Sequence, residues 1–290
     1  MPVFSVETFE QQLEHLLQTL LTRGTSRTPE NLADSIRYSL LSPGKRFRPR
    51  LVHAAAQALE LKPEVALAAA IALEMTHCFT LIHDDLPCMD NDDFRRGRPS
   101  NHKKFGEGTA LLAGDSLIGL AFESLLRARV HGIPAERVLA AVARLAAAIG
   151  PRGVCGGQAA EALLTPQSSL PDLERMHAQK TGALFVAALG IPRELAGLAE
   201  GSPVGAALEI FAHEFGRAFQ IWDDLEDGFQ DLERSVSILN HLSFEDAQAR
   251  GLAALESGTA QLRAVLGDRC DPLTDIGDDL WKKIKELRAV

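Results

Sequence analysis

Three runs of this chain, 63–83, 107–126 and 202–222, are apolar on most of their circumference at helical spacing. Nothing else in the sequence limits the fold as strongly, because a helix without a broad polar face belongs at the centre of a bundle. Ala and Leu dominate, and alternating β-branched runs are absent. Helices are expected over roughly 6–22, 30–42, 47–60, 63–86, 107–130, 134–149, 155–165, 171–190, 202–229, 243–265 and 275–288. Pro29, Pro63, Pro134, Pro171 and Pro203 stand near several starts, where a missing N–H costs little. Ser243 with Asp246 three residues on resembles a capping arrangement. No Gly/Ser linker or low-complexity tract divides the 290 residues, so one all-α domain over 1–290 is expected.

Two of the apolar runs end in acid. The first continues as His83-Asp84-Asp85-Leu86-Pro87-Cys88-Met89-Asp90-Asn91-Asp92-Asp93, the second as Gln220-Ile221-Trp222-Asp223-Asp224-Leu225-Glu226-Asp227. A bundle core does not accept unpaired carboxylates, since desolvating one costs several kcal/mol unless it is compensated. Two such tips on central helices suggest one shared site at the mouth of a cavity. Asp223 and Asp227, four apart, lie on one helix face, and convergent carboxylate oxygens suit a hard cation such as Mg²⁺. Asp84 and Asp90, six apart, would diverge by about 120° on an ideal helix. Pro87 lies between them, so a turn that brings Asp90 back is expected.

The bulk charge is −9, which disfavours binding to nucleic acid or anionic membrane by bulk attraction. An anionic ligand therefore needs a local basic cluster or metal ions. Lys45, Arg46, Arg48 and Arg50 supply four cations within six residues, and Arg95 and Arg96 follow the first acidic cluster. Arg forks suit bidentate phosphate contacts. Read alone, this set fits a surface ion-pair network equally well, and His77 reads as an ordinary core residue. The four cysteines are scattered without metal-type spacing, which argues against zinc or a disulfide framework. The N-terminal residues have no basic start followed by an apolar run, and no stretch of 18 residues reads as uncharged and apolar enough to span a bilayer. A cytoplasmic protein is the expectation.

Taken together, these residues resemble the trans-prenyltransferase family, in particular bacterial geranyl and farnesyl diphosphate synthases, from about Ser39 to Asp227. The matching stretches, in family order, are Gly44-Lys45-Arg46-x-Arg48-Pro49, His83-Asp84-Asp85-x4-Asp90 with Arg95-Arg96-Gly97, Gly156-Gly157-Gln158, Lys180-Thr181-Gly182, and Phe219-Gln220-x2-Asp223-Asp224-x2-Asp227. The resemblance implies an isoprenoid synthase helical bundle with a central cavity, and a homodimer. It implies up to three Mg²⁺ ions held by carboxylates among Asp84, Asp85, Asp90, Asp223, Asp224 and Asp227, with Asp84, Asp90, Asp223 and Lys180 as the catalytic group. Arg95, Lys180, Thr181 and Gln220 would grip an allylic diphosphate, and Lys45, Arg48, His77 and Arg96 the diphosphate of isopentenyl diphosphate. Phe79, five residues before Asp84 and so about 7.5 Å along the axis, would floor the product tail and favour a C15 product with a C10 option.

In one place the sequence departs from this pattern. After Asp227 the family has a loop with a Gly-Lys pair, and here Gly228 to Ser235 leads straight on, with only Asp231 and Arg234 to compensate. Glu161 also stands where Asp is usual. The shortened loop predicts weaker allylic binding or a site open to water. A non-catalytic homologue that binds a phosphorylated ligand would explain the loss; a terpene cyclase would not need Lys45, Arg48 and His77.

Overall fold

A computed structural model describes residues 5–22, 28–228 and 236–288. Thirteen α-helices are present among them, with one two-stranded hairpin, so the all-α expectation holds. The chain divides into two compact units: residues 1–53 with 62–134, and residues 54–61 with 135–290.

The first unit contains α1 (Val6–Leu21), α2 (Glu30–Leu40), most of α3 (Phe47–Ala58), α4 (Pro63–Asp84), the hairpin β1 (Phe94–Arg95) and β2 (Arg98–Pro99), α5 (Asn101–Phe105) and α6 (Glu107–Leu126). Its axis is α4. Pro63 opens this helix at a position where no N–H is needed, and 15 of the 22 residues are buried. Alanines on α4 let α6 approach closely, and Ser124 Oγ donates to the Ala68 carbonyl across the gap at 2.9 Å. Gly114 of α6 lies beneath the His83 imidazole, where a Cβ would stand only 2.1 Å from Nε2.

The second unit contains α7 (Ala135–Ile149), α8 (Val154–Glu161), α9 (Leu170–His177), α10 (Ala183–Ala196), α11 (Pro203–Asp227), α12 (Phe244–Leu266) and α13 (Asp271–Glu286). Ser202 and Ser243 cap α11 and α12 through the N–H groups of Gly205 and Asp246. Along α11, Phe211, Phe215, Phe219 and Trp222 pack in sequence with Phe185 of α10, with ring centroids 5.0–5.9 Å apart.

Two expectations need correction. The helix expected over 171–190 is α9, a π-helical turn at Ala178–Gly182, then α10, which runs through Pro192 to Ala196. The hairpin and α5 have too few residues to show a period. Three helical stretches, α4 (Pro63–Asp84), α6 with the turn after it (Glu107–Arg129) and α7 with α8 (Ala135–Glu161), are long and apolar enough to cross a membrane by length and composition. The sequence reading gave too much weight to isolated charges such as Glu74, which in α4 is ion-paired with Arg46. Within the protein, 83% of the apolar window of α4 is buried.

Candidate active site

In the first unit, α4 stops at Asp84 and the chain turns through Pro87. The Asp90 N–H then donates to the Asp84 carbonyl at 2.9 Å. This is the return expected from the proline. Asp85 points inward and is 2% exposed, and its Oδ1 accepts from Arg95 Nε at 2.8 Å and from Nη2 of the same guanidinium. Burial raises the Asp85 carboxyl above the usual range, against the pull of Arg95. Burial likewise opposes the Arg95 charge, but Asp85 and Asp92 more than offset it. With two N–H groups aimed at one oxygen, the pair is ionised on both sides.

Arg95 and Arg96 reach this position through the hairpin. Its two-residue turn is Arg96-Gly97, with φ of 54° and 73°. Both values lie in the left-handed region, as a type I′ turn requires. Glycine accepts that freely; Arg96 does not, and a non-glycine residue held there costs about 1 kcal/mol or more. Arg96 Nη1 reaches the Ser42 carbonyl at 3.4 Å, and its guanidinium lies so close to Gly44 that a Cβ there would stand 3.0 Å from Nη1.

The Gly44–Pro49 motif divides its cations. Arg46 turns inward, 4% exposed with φ of 50°, and binds buried Glu74 of α4, Glu10 of α1 (2.9 Å) and the Ser42 carbonyl (2.9 Å). Its carbonyl accepts the Arg50 N–H as α3 begins. Arg46 is therefore a strut, and Lys45 and Arg48 flank it on either side in sequence. His77 of α4 lies among these cations. Burial, then Arg48, Arg96, Arg46 and Arg95, hold its pKa well below that of an ordinary histidine, so it is neutral at pH 7. Phe79 is buried on the same helix, edge-on to His83 with centroids 5.7 Å apart. His83 Nε2 stands 3.1 Å from the Leu111 carbonyl.

In the second unit, Lys180 and Thr181 sit on the π-helical turn, and turns of this kind often mark functional positions. Lys180 Nζ is ion-paired with Glu161 of α8. The approach is close because of Gly157, where a Cβ would lie 2.2 Å from the Lys180 nitrogen. Thr181 Oγ1 donates to Gln220 Oε1 at 2.8 Å, and Gln220 Nε2 donates to Asp224 Oδ1 at 2.9 Å. The other oxygen of Asp224 accepts the Ile238 N–H at 2.7 Å. Asp224 is 8% exposed and its pKa is raised by burial. Asp223 and Asp227 share α11 with it, and burial and Asp224 raise Asp227 as well. A cavity of about 100 Å³ lies beside this chain of contacts, lined by His177, Gly182, His213, Gly216, Gln220 and Ile238 among others.

The sequence reading missed Glu74 and Glu10 as counter-ions of Arg46; the one signal was a single acid in the middle of an apolar helix. The stretch expected from the sequence to be a shortened loop, with Asp231, Arg234 and Ser235, lies outside the described residues. Among the described residues, no three His, Cys, Asp or Glu side chains are grouped so that they could hold a metal ion.

Comparison with known proteins identifies the family. The polyprenyl synthetase family model matches residues 29–241. A chloroplastic geranylgeranyl pyrophosphate synthase of Capsicum annuum is 45% identical over 204 residues, 69% of this chain and 54% of that protein. A farnesyl diphosphate synthase of Geobacillus stearothermophilus is 40% identical over 237 residues, 78% of this chain and 77% of that one. Thus the chain spans little more than half the length of the plant relative. Among solved structures, a geranyltransferase of Legionella pneumophila superposes with a TM-score of 0.86 at 32% identity, covering 96% of each chain. An FPP/GFPP synthase of Zymomonas mobilis superposes with 0.83 at 34%, covering 93% of this chain and 95% of that one. With a family model matched over more than two thirds of its residues, and solved structures of the same fold above 30% identity, the chain belongs to the polyprenyl synthetase family.

Proposed function

We propose that this protein condenses an allylic diphosphate, dimethylallyl or geranyl, with isopentenyl diphosphate to give geranyl or farnesyl diphosphate. The observation that carries this reading is the neutral His77 set among Arg46, Arg48, Arg95 and Arg96, on the helix that ends in Asp84. With Arg46 committed to Glu74 and Glu10, and Arg95 to Asp85, it is Arg48 and Arg96 beside the uncharged imidazole that suit a polyanion such as diphosphate.

The donor set fits Mg²⁺. Asp84, Asp90, Asp223 and Asp227 offer only carboxylate oxygens, and Mg²⁺ takes one or two of these with substrate phosphate oxygens and water. Bound Mg²⁺ would supply positive charge to the departing diphosphate and so favour ionisation of the allylic C–O bond. Asp85 and Asp224, already engaged with Arg95 and with Ile238, serve as anchors for the liganding neighbours Asp84 and Asp223. Lys180, Thr181, Gln220 and Arg95 would hold the allylic diphosphate, and Lys45, Arg48, His77 and Arg96 the isopentenyl one. Because Glu161 is ion-paired with Lys180, an incoming diphosphate competes with a carboxylate for that ammonium. The isopentenyl double bond then attacks the allylic carbon, and the proton lost goes to the released diphosphate.

The exposed leucines Leu111, Leu112 and Leu126 of α6, and Leu139 of α7, are surfaces that a second copy would cover, so we read the protein as a homodimer. Light scattering on the purified protein tests this; a monomer would refute it.

The activity test is incubation of the purified protein with Mg²⁺, isopentenyl diphosphate and dimethylallyl or geranyl diphosphate, with products separated by chain length. Expected products are C10 and C15. Phe79→Ala should extend them beyond C15, and an unchanged distribution would remove Phe79 as the floor. No product from either allylic substrate would overturn the reading.

A further inference from the structure

Arg95 and Arg96 are carried by a hairpin with two residues in each strand, and Arg96, in its turn, has left-handed backbone. A two-stranded ribbon is marginal by itself and takes its conformation from what it packs on. In the first unit that support is the Asp85–Arg95 pair at the end of α4 together with one face of α2 and its exit. Ser35, Tyr38, Ser39 and Ser42 recur at i, i+3, i+4 and i+7, so they lie on one side of the helix. Each of the four is bonded to the hairpin or to the residues just after it. Asn101 Nδ2 donates to the Ser35 carbonyl (2.9 Å) and to Ser39 Oγ (2.8 Å), and Ser35 Oγ donates to Asn101 Oδ1 (2.7 Å). The Ser42 carbonyl accepts from Arg96 Nη1.

Tyr38 makes the most contacts of the four. Its hydroxyl donates to the Pro99 carbonyl at 2.8 Å, at the end of β2. The Arg98 guanidinium and the Lys104 ammonium each lie 4.1 Å from its ring centroid, and Phe105 meets it edge-on at 5.5 Å. A hydroxyl fixes the height of β2 against α2, and an aromatic face holds the flanking cations. The Ser42 carbonyl at the exit of α2 also accepts from Arg46, so the same helix braces the Gly44–Pro49 motif.

We propose that Tyr38 is a positioning residue for the diphosphate site. It locks the Arg95–Arg96 hairpin to the α2 face, and so fixes the guanidiniums around His77 without itself being a ligand. The proposal rests on the reading of this chain as a prenyl diphosphate synthase, and it makes Tyr38 a determinant of substrate affinity and not of the chemical step.

The test uses the full chain as wild type, Tyr38→Phe and Tyr38→Leu. Two measurements run in parallel: steady-state kinetics with isopentenyl diphosphate varied, and calorimetric titration with inorganic pyrophosphate in the absence of metal. Tyr38→Phe should raise the KM for isopentenyl diphosphate about threefold, and Tyr38→Leu about tenfold or more, with kcat within about twofold of wild type. The pyrophosphate Kd should weaken in the same order. If the leucine variant fails to fold by circular dichroism, the phenylalanine variant, which keeps the ring, decides alone. Unchanged KM and Kd, or a loss of kcat at constant KM, would overturn the positioning role, as would a wild type that binds no pyrophosphate. A wild type that makes no prenyl product while it binds pyrophosphate would defeat the synthase reading, and the order of the pyrophosphate affinities would still decide the role of Tyr38.

Discussion

Each acidic motif begins with an Asp-Asp pair at the end of a long apolar helix, and in each pair the second member is buried. The two are anchored differently. Asp85 meets a guanidinium, itself also paired with Asp92. Asp224 meets neutral donors, the Gln220 amide, the Ile238 N–H and the Ser237 hydroxyl. The first anchor connects the helix end to a hairpin that carries cations. The second connects it to the chain 14 residues on. Two motifs that look alike in sequence thus divide the same labour, one residue outward and one inward, with opposite choices of partner. In the first motif the anchor is one of the arginines proposed to grip diphosphate; in the second it is a backbone N–H of the following chain.

This contrast predicts its largest effect in activity. Asp84→Asn and Asp223→Asn should each lower kcat by about a hundredfold or more, since on the proposed reading each would remove a carboxylate that would hold Mg²⁺ against the departing charge. Both variants should keep wild-type helicity and stability. Asp85→Asn and Asp224→Asn should lose less activity than their neighbours in the same product assay. If the inner residue of either pair proves more costly to activity than the outer, the division of labour fails.

Stability should show the reverse ranking. Asp85→Asn leaves Arg95 facing an uncharged amide. Breaking a buried pair costs 3–5 kcal/mol, but the Arg95 side chain is 37% exposed, so about 3 kcal/mol is the upper end expected after screening. Asp224→Asn retains one acceptor and loses the other, about 1.5 kcal/mol for one unsatisfied buried group. Urea unfolding midpoints for the two variants measure the difference directly. Equal losses would mean that Arg95 contributes no more than a neutral donor.

Much of this was legible in the sequence, for identifiable reasons. The central helices announce themselves because burial on all sides demands continuous apolar residues, and α4 and α11 lie within two residues of their expected bounds. The return of Asp90 follows from one proline. What could not be read is what depends on direction. In Lys45-Arg46-Phe47-Arg48, the spacing does not reveal that Arg46 turns inward to Glu74, because the left-handed φ that aims it is set by tertiary packing. Nor does Asp84-Asp85 reveal which carboxylate is buried, since the helix ends between them. The hairpin has too few residues for a period. The π-helical turn at Lys180 is likewise invisible, since its cause is the close approach of α8 at Gly157, a contact between segments distant in sequence.

The smallest effect expected concerns acid stability, and it again sets one region against the other. His77 in the first unit and His177 in the second are both held neutral. His77 is kept so by burial and four arginines, and His177 is lowered to about 4 by burial, with Lys180 adding to it against Glu161 and Glu174. A histidine whose folded pKa lies below its unfolded value takes up its proton only on unfolding. Its contribution is complete above about pH 6.5 and is lost as the pH falls, with a ceiling of about 1.4 kcal/mol per unit. Asp224 works in the opposite direction. Its raised pKa makes the folded state the better proton binder, so its contribution declines as the pH rises from about 4. In the second unit the two slopes therefore oppose each other; in the first, His77 and Asp85 are set against each other in the same way. Unfolding free energies at pH 5.5 and 6.5 separate them. His177→Gln should flatten the rise of stability with pH by about 1 kcal/mol over that unit. His77→Gln should flatten it as well. A slope indifferent to His177→Gln would mean that this imidazole takes a proton in the folded protein and that burial beside Lys180 does not keep it neutral.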